Sequence, residues 1–160
     1  PLGLTRTTYF PAGNFESYAT GFAEDDAPHK LGIRHEWPLI GGSLYTTAQE
    51  MVRLAQGVGG FIETTTGDAF LNESSRDELD VLRNPGQGYS LGWTTLRMNG
   101  KPVRFSHSGS LQSYRSFIAF DRRNESCVAA TWTLPSPEQE EAAGSRIREV
   151  LRTVLDGPIP

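Results

Sequence analysis

His107-Ser108-Gly109-Ser110 sets an imidazole and two hydroxyls in direct succession, just after the strand-like Phe105-Ser106. An imidazole moves protons near neutral pH, and hydroxyls both donate to and accept from a substrate oxygen. Such a run standing alone is ordinarily a turn with polar caps, so its meaning depends on what surrounds it. The other reactive side chains are poorly placed for chemistry. His29 and His35 lack ligand-like spacing to an acid or a cysteine and read as surface residues, which leaves no metal site. Cys127 lies in the apolar run Cys127-Val128-Ala129-Ala130 with no cation close by, and reads as a small buried strand residue rather than a reactive thiol. Gly41-Gly42 has no strand before it and no Gly-Lys-Ser/Thr after it, so a tight turn into a helix is preferred over a phosphate cradle.

The elements that must position these groups can be drawn from the rest of the chain. With 160 residues, 37 % of them apolar, and 17 glycines, the composition is that of a single globular domain, able to bury about two-thirds of its unfolded surface. The formal charge of −4 is mild, and the acids cluster locally in Glu24-Asp25-Asp26 and across Glu138 to Glu141, so no basic stripe is offered to nucleic acid. No stretch has the length of a membrane span, and the first residues carry neither a charged leader nor an apolar signal core. The absence of Met at position 1 suggests a cut or subcloned product, and the compartment stays open.

Three regions are predicted. Residues 1–43, rich in Gly, Pro, Thr and aromatics and without sustained periodicity, form an irregular lobe. Residues 44–86 form a helical segment: Thr47-Ala48-Gln49-Glu50 is a capping box, Met51, Leu54, Ala55 and Val58 share one helical face, and Gly59-Gly60 stops it. A shorter helix runs from a second box, Ser75-Arg76-Asp77-Glu78, through Leu82 and ends before Asn84-Pro85-Gly86. Residues 87–160 read as a meander plus terminal helix. Tyr89, Leu91, Trp93 and Thr95 alternate with smaller residues as a strand, Asn99-Gly100 is a two-residue hairpin turn, and Lys101 to Ser108 returns antiparallel, carrying the His-Ser-Gly run at its end. Strands over Tyr114 to Asp121 and Cys127 to Leu134 follow, with Trp93 and Trp132 as core aromatics. The last helix is capped by Ser136, has Pro137 in its first turn and Gln139 completing the box, and presents Ile147, Val150, Leu151, Val154 and Leu155 to the sheet. The predicted fold class is α+β, an antiparallel meander of about four strands with helices covering one face.

Five segments, in order along essentially the whole chain, resemble the serine β-lactamase-like and penicillin-binding family, in its branch of class C β-lactamases, D-alanyl-D-alanine carboxypeptidases and esterases. They are Pro1-Leu2-Gly3-Leu4, the stretch Gly41-Gly42-Ser43-Leu44-Tyr45-Thr46-Thr47-Ala48-Gln49-Glu50-Met51, Tyr89-Ser90-Leu91-Gly92-Trp93, His107-Ser108-Gly109, and Phe117-Ile118-Ala119-Phe120-Asp121. The resemblance implies a partial β-lactamase/transpeptidase-like fold corresponding to the C-terminal portion of such a bacterial hydrolase. It implies roles as well: His107 near the proton-transfer machinery, Ser108 as a hydroxyl toward a substrate carboxylate or carbonyl, Gly109 as a place for close substrate approach, and the Ser110 N–H as one oxyanion donor. No cofactor is implied.

Two family motifs are missing. The only lysines, Lys30 and Lys101, are preceded at the third position by Ala27 and Met98, so Ser-x-x-Lys does not occur. The one Tyr-x-Ser, Tyr114-Arg115-Ser116, follows the His-Ser-Gly run instead of preceding it and reads as an ordinary strand. Trp132-Thr133 also departs from the Thr-Asn common at that strand end. The resemblance therefore implies a chain that is inactive alone, with the nucleophile supplied by an N-terminal part of the same domain and a small-molecule or peptide acyl substrate between them. An exposed sheet edge would favour that partner or self-association. Members of the family are often periplasmic or secreted. The alternative reading is a non-catalytic binding or interaction module that retains the scaffold.

Overall fold

The computed structural model describes residues 1–8, 19–22, 28–29, 44–111, 113–133 and 137–157. Their chain order is β1 (Gly21–Phe22), β2 (Pro28–His29), α1 (Ala48–Gly59), α2 (Glu73–Asp80), a 3-10 turn at Pro85–Gln87, β3 (Thr94–Met98), β4 (Lys101–Leu111), β5 (Tyr114–Asp121), β6 (Ser126–Thr133) and α3 (Pro137–Leu155). Among the described residues β1 and β2 pair only with each other, whereas β3 to β6 form one antiparallel sheet in sequence order. The predicted α+β meander with a terminal helix is present. His35, Gly41-Gly42 and the Ser136 cap lie outside the described residues, as do the side chains of His29 and Gln139.

α1 starts where its sequence predicts. The Thr47 hydroxyl accepts the Glu50 N–H at 3.2 Å, and Gly60, at φ 81°, closes the other end by donating to the carbonyls of Gln56 and Gly57. The Glu50 carboxylate, however, does not complete the box. It accepts the N–H groups of Thr5 and Arg6, both at 2.8 Å, and the Thr7 hydroxyl at 2.5 Å, strapping the first residues of the chain across the start of α1. Leu2 is buried in the same strap, lying where Gly57 has no side chain, and its carbonyl accepts from Arg53 Nε. The rest of the strap is held by Thr8 and Tyr45, whose backbones exchange bonds of 2.9 and 2.8 Å.

α2 begins two residues before the predicted Ser75, because Asn72 outcompetes the serine as a cap: its side chain accepts the Ser75 N–H at 2.8 Å. The predicted strand from Tyr89 is likewise displaced, since Gly92 takes φ 72° and Ser90 is tied to the end of α2 by a hydroxyl bond to the Leu79 carbonyl. Regular pairing begins only at Thr94. The Asn99-Gly100 turn is as read from the sequence, with both residues at positive φ, 51° and 79°, as a type I′ hairpin requires.

Helices cover both faces of the sheet, which corrects the expectation of one covered face. Phe105, Ile118 and Phe120 pack under Met51, Ala55 and Val58 of α1 and Leu79 of α2. Phe117, Ala119 and Val128 face the other way, onto Leu155 and Leu151 of α3. The reason is legible in β5, where Phe117-Ile118-Ala119-Phe120 are all buried: an unbroken apolar run in a strand needs cover on two sides. Phe120 is central, stacked on Phe105 at 4.8 Å and met edge-on by Trp93 at 5.2 Å. α3 contributes less of its stripe than expected. Leu155 is fully buried, but Val150 and Val154 are 61 % and 55 % exposed.

A charged clamp joins β4, β5 and the end of α3. The fully buried Asp121 carboxylate accepts from Arg104 Nε at 2.9 Å and from Arg123 Nε and its terminal nitrogen at 2.9 and 2.7 Å, and both arginines reach on to Asp156. Burial pushes the Asp121 carboxyl up, but the bonds from Arg123 and Arg104 outweigh it and hold the carboxyl below its ordinary value. Asn124 completes the clamp by donating to the Leu155 carbonyl at 2.9 Å, which satisfies an orphan group of the last helical turn.

Candidate functional site

The predicted site residues lie in the last third of β4, and the hairpin decides how they are presented. Met98 and Lys101 flank the tight turn, and a register shift follows between Leu96 and Arg97, so that Leu96 faces Arg104 and Thr94 faces Ser106. β3 has no partner for β4 beyond Ser106, because its chain turns away through Trp93 and Gly92. Among the described residues, His107, Ser108, Gly109 and Ser110 therefore pair only with β5, to Ile118, Phe117, Ser116 and Arg115 respectively. No described strand continues β3 beside them.

The direction of the backbone groups along this stretch follows from one bond. Arg122 N–H donates to the Val103 carbonyl at 2.8 Å, one step outside the Arg104–Asp121 pair. In an antiparallel ladder such a bond flanks a pair whose own N–H and C=O groups point away from each other's strand. With no register shift between β4 and β5, the phase then alternates: Phe105, His107 and Gly109 direct their amides to β5, and Ser106, Ser108 and Ser110 direct theirs away from it. Ser106 meets Thr94. Ser108 and Ser110 turn N–H and C=O to the open edge.

Side chains alternate across the sheet in the complementary sense. His107 lies on the α1 face in the row of Ile118 and Ala129, while Ser108 and Ser110 lie on the α3 face. All three are exposed, so the imidazole and both hydroxyls can reach a ligand. Beside His107 stands Tyr89, its ring centre 6.4 Å from the imidazole at an interplanar angle of 61°. Gly109 has a neighbour that sequence reasoning missed: a Cβ there would collide with the Ser116 hydroxyl on β5. Counting the β4–β5 register from the hairpin turn would have found Ser116, since the two residues are directly paired.

Cys127 sits half-buried in β6, and burial pushes its thiol up to about 12, so almost none is thiolate at neutral pH. Tyr114 donates its phenol to the Ala19 carbonyl at 2.9 Å, a structural tie that suits its reading as an ordinary strand residue. Among the described residues no group of three or more His, Cys, Asp or Glu could hold a metal ion, and no helix is long and apolar enough to cross a membrane.

A four-stranded antiparallel sheet with helices on both faces, its last helix C-terminal, is the α+β architecture of a partial β-lactamase-like fold. The family model for β-lactamases matches residues 1–152, and the chain belongs to the β-lactamase family. Comparison with curated proteins and with solved structures returned no match.

Proposed function

We propose that this chain supplies the substrate-binding and oxyanion wall of a serine-acylating hydrolase of the β-lactamase, D-alanyl-D-alanine carboxypeptidase or esterase type. The observation that supports this most strongly is the open edge at Ser108 and Ser110, whose outward N–H and C=O groups suit a substrate lying along β4 as an added strand. The Ser110 N–H then points at the reacting carbonyl. As a nucleophilic hydroxyl gives its proton to a base on its own segment and adds, the C=O π bond opens to an oxyanion that this N–H and one from the nucleophile's own residue hold. Collapse re-forms the C=O, breaks the bond to the leaving group, and the base returns the proton to it. One such donor contributes roughly 2.7–4 kcal/mol to the transition state. Ser108 binds a substrate carboxylate or carbonyl, His107 stands by the proton path, and Gly109 keeps the wall shallow.

The attacking group comes from a segment outside these residues, since no Ser-x-x-Lys occurs among them. That segment is the partner this reading requires, and the outer edge of the sheet is where it or a second copy would pair. Treating the 160-residue chain with a fluorescent penicillin and a fluorophosphonate should leave no covalent label. A polypeptide extended upstream in the same reading frame, and found to carry Ser-x-x-Lys, should label with at least one. Strong labelling of the chain alone would sink the account of the missing nucleophile. A natural start codon at this point, with no labelling of the product, would favour a binding module.

A further inference from the structure

We infer that Tyr89 is a positioning residue for His107, holding the imidazole in one orientation at the open end of β4. Among the described residues His107 has few groups to fix it. It is exposed, no described strand pairs with its outer side, and the next residue on its face of the strand is Gly109, which offers no side chain to pack against. Among the described residues the groups flanking it on that face are Phe105 two residues back on β4, Ile118 across the ladder and the Tyr89 ring, whose 6.4 Å separation and 61° tilt are those of an edge-to-face aromatic pair.

Tyr89 itself is tightly held. Its carbonyl accepts the N–H groups of Arg83 and Asn84 at 2.8 and 3.0 Å, and its own N–H donates to the Asn84 carbonyl at 3.0 Å. On one side Gly88, in a left-handed turn at φ 63°, accepts the Thr95 N–H at 2.8 Å and the Thr95 hydroxyl at 3.1 Å. On the other side the buried Ser90 is bonded to α2. The knot between α2 and β3 thus holds the Tyr89 backbone and brings its ring to the exposed imidazole. Because Gly92 and the Ser90–Leu79 bond carry the Tyr89–Trp93 segment out of the sheet, it does not pair along β4 beside Ser108 and Ser110.

A role in catalysis rests on the proposed function of His107, so the test separates the two. In the unaltered chain, nuclear Overhauser contacts should link the Tyr89 and His107 ring protons, and the His107 ring shifts should be displaced from those of a free histidine. Tyr89→Leu should return those shifts to free values and average the His107 side-chain couplings over several rotamers, while Tyr89→Phe leaves both unchanged. In the labelling-competent polypeptide, Tyr89→Leu should lower kcat/KM by about tenfold and Tyr89→Phe by less than about twofold. Missing ring contacts in the unaltered chain, or unchanged His107 signals in a folded Tyr89→Leu variant, would overturn the positioning role. If instead His107→Ala leaves acylation intact while the ring contacts are present, the pairing stands and the catalytic reading of His107 fails.

Discussion

At the residue scale, what matters is which reactive groups are exposed. The imidazole of His107 and the hydroxyls of Ser108 and Ser110 reach solvent, whereas the thiol of Cys127 is half-buried and its pKa is pushed up to about 12. Native protein should therefore resist maleimide at neutral pH and react at Cys127 only once unfolded, as intact-mass spectrometry will record. Rapid native modification would contradict the burial of β6. The tetrapeptide was legible as a candidate site because its residue types were informative. Ser116 was within reach of a register count, being paired directly with Gly109, whereas Tyr89 was not, since it reaches the site across the fold through the knot after α2.

At the scale of elements, the hairpin governs the site. Asn99-Gly100 fixes the turn, the register shift after it sets which β4 residues face β3, and the unshifted β4–β5 ladder sends the Ser108 and Ser110 backbone groups outward. Nothing lies within 4 Å of where a Cβ at Gly100 would stand, so Gly100→Ala carries only the backbone penalty of a positive φ. We expect a loss of about 1 kcal/mol in urea unfolding. A neutral effect would mean that the turn relaxes to another type. The sequence identified the turn but not the bulge, because a bulge depends on how two strands settle against each other. The misplaced starts of α2 and β3 have local causes: Asn72 and Ser75 are both competent caps, and alternation over Tyr89 to Thr95 mimics a strand until the Ser90–Leu79 bond bends it.

At the scale of the whole molecule, three carboxyls tie distant parts together, and all three are held low. The Thr7 hydroxyl is the largest influence on Glu50; burial opposes it, and the N–H groups of Arg6 and Thr5 reinforce it. Arg104 dominates at Asp156, while at Asp121 burial is the largest single influence and is outweighed by the two arginines. A carboxyl held below its unfolded value contributes stability above that value and loses it as pH falls through the folded one. Acid unfolding should accordingly set in as pH drops below 4.5 and deepen below 3.8, the ordinary values for Glu50 and the two aspartates, in a circular-dichroism titration. Asp121→Asn should cost about 3 kcal/mol at neutral pH, because two arginines lose a buried anion, and should flatten the acid limb. An unchanged acid limb would show that the clamp is not what fails first.

The sequence by itself determined the three helices, the four-stranded meander, the Asn-Gly hairpin, the family resemblance and the tetrapeptide, because capping residues, turn glycines and apolar periodicity act over a few residues, but not the short β1–β2 pair within residues 1–43. Tertiary structure decided the rest. Whether helices lay on one face or two depended on how the buried run of β5 was shared between α1 and α3, and the partners of Glu50, His107 and Gly109 depended on chain segments brought together from far apart. Local patterns specify which groups need satisfying, and only packing chooses the group that satisfies them.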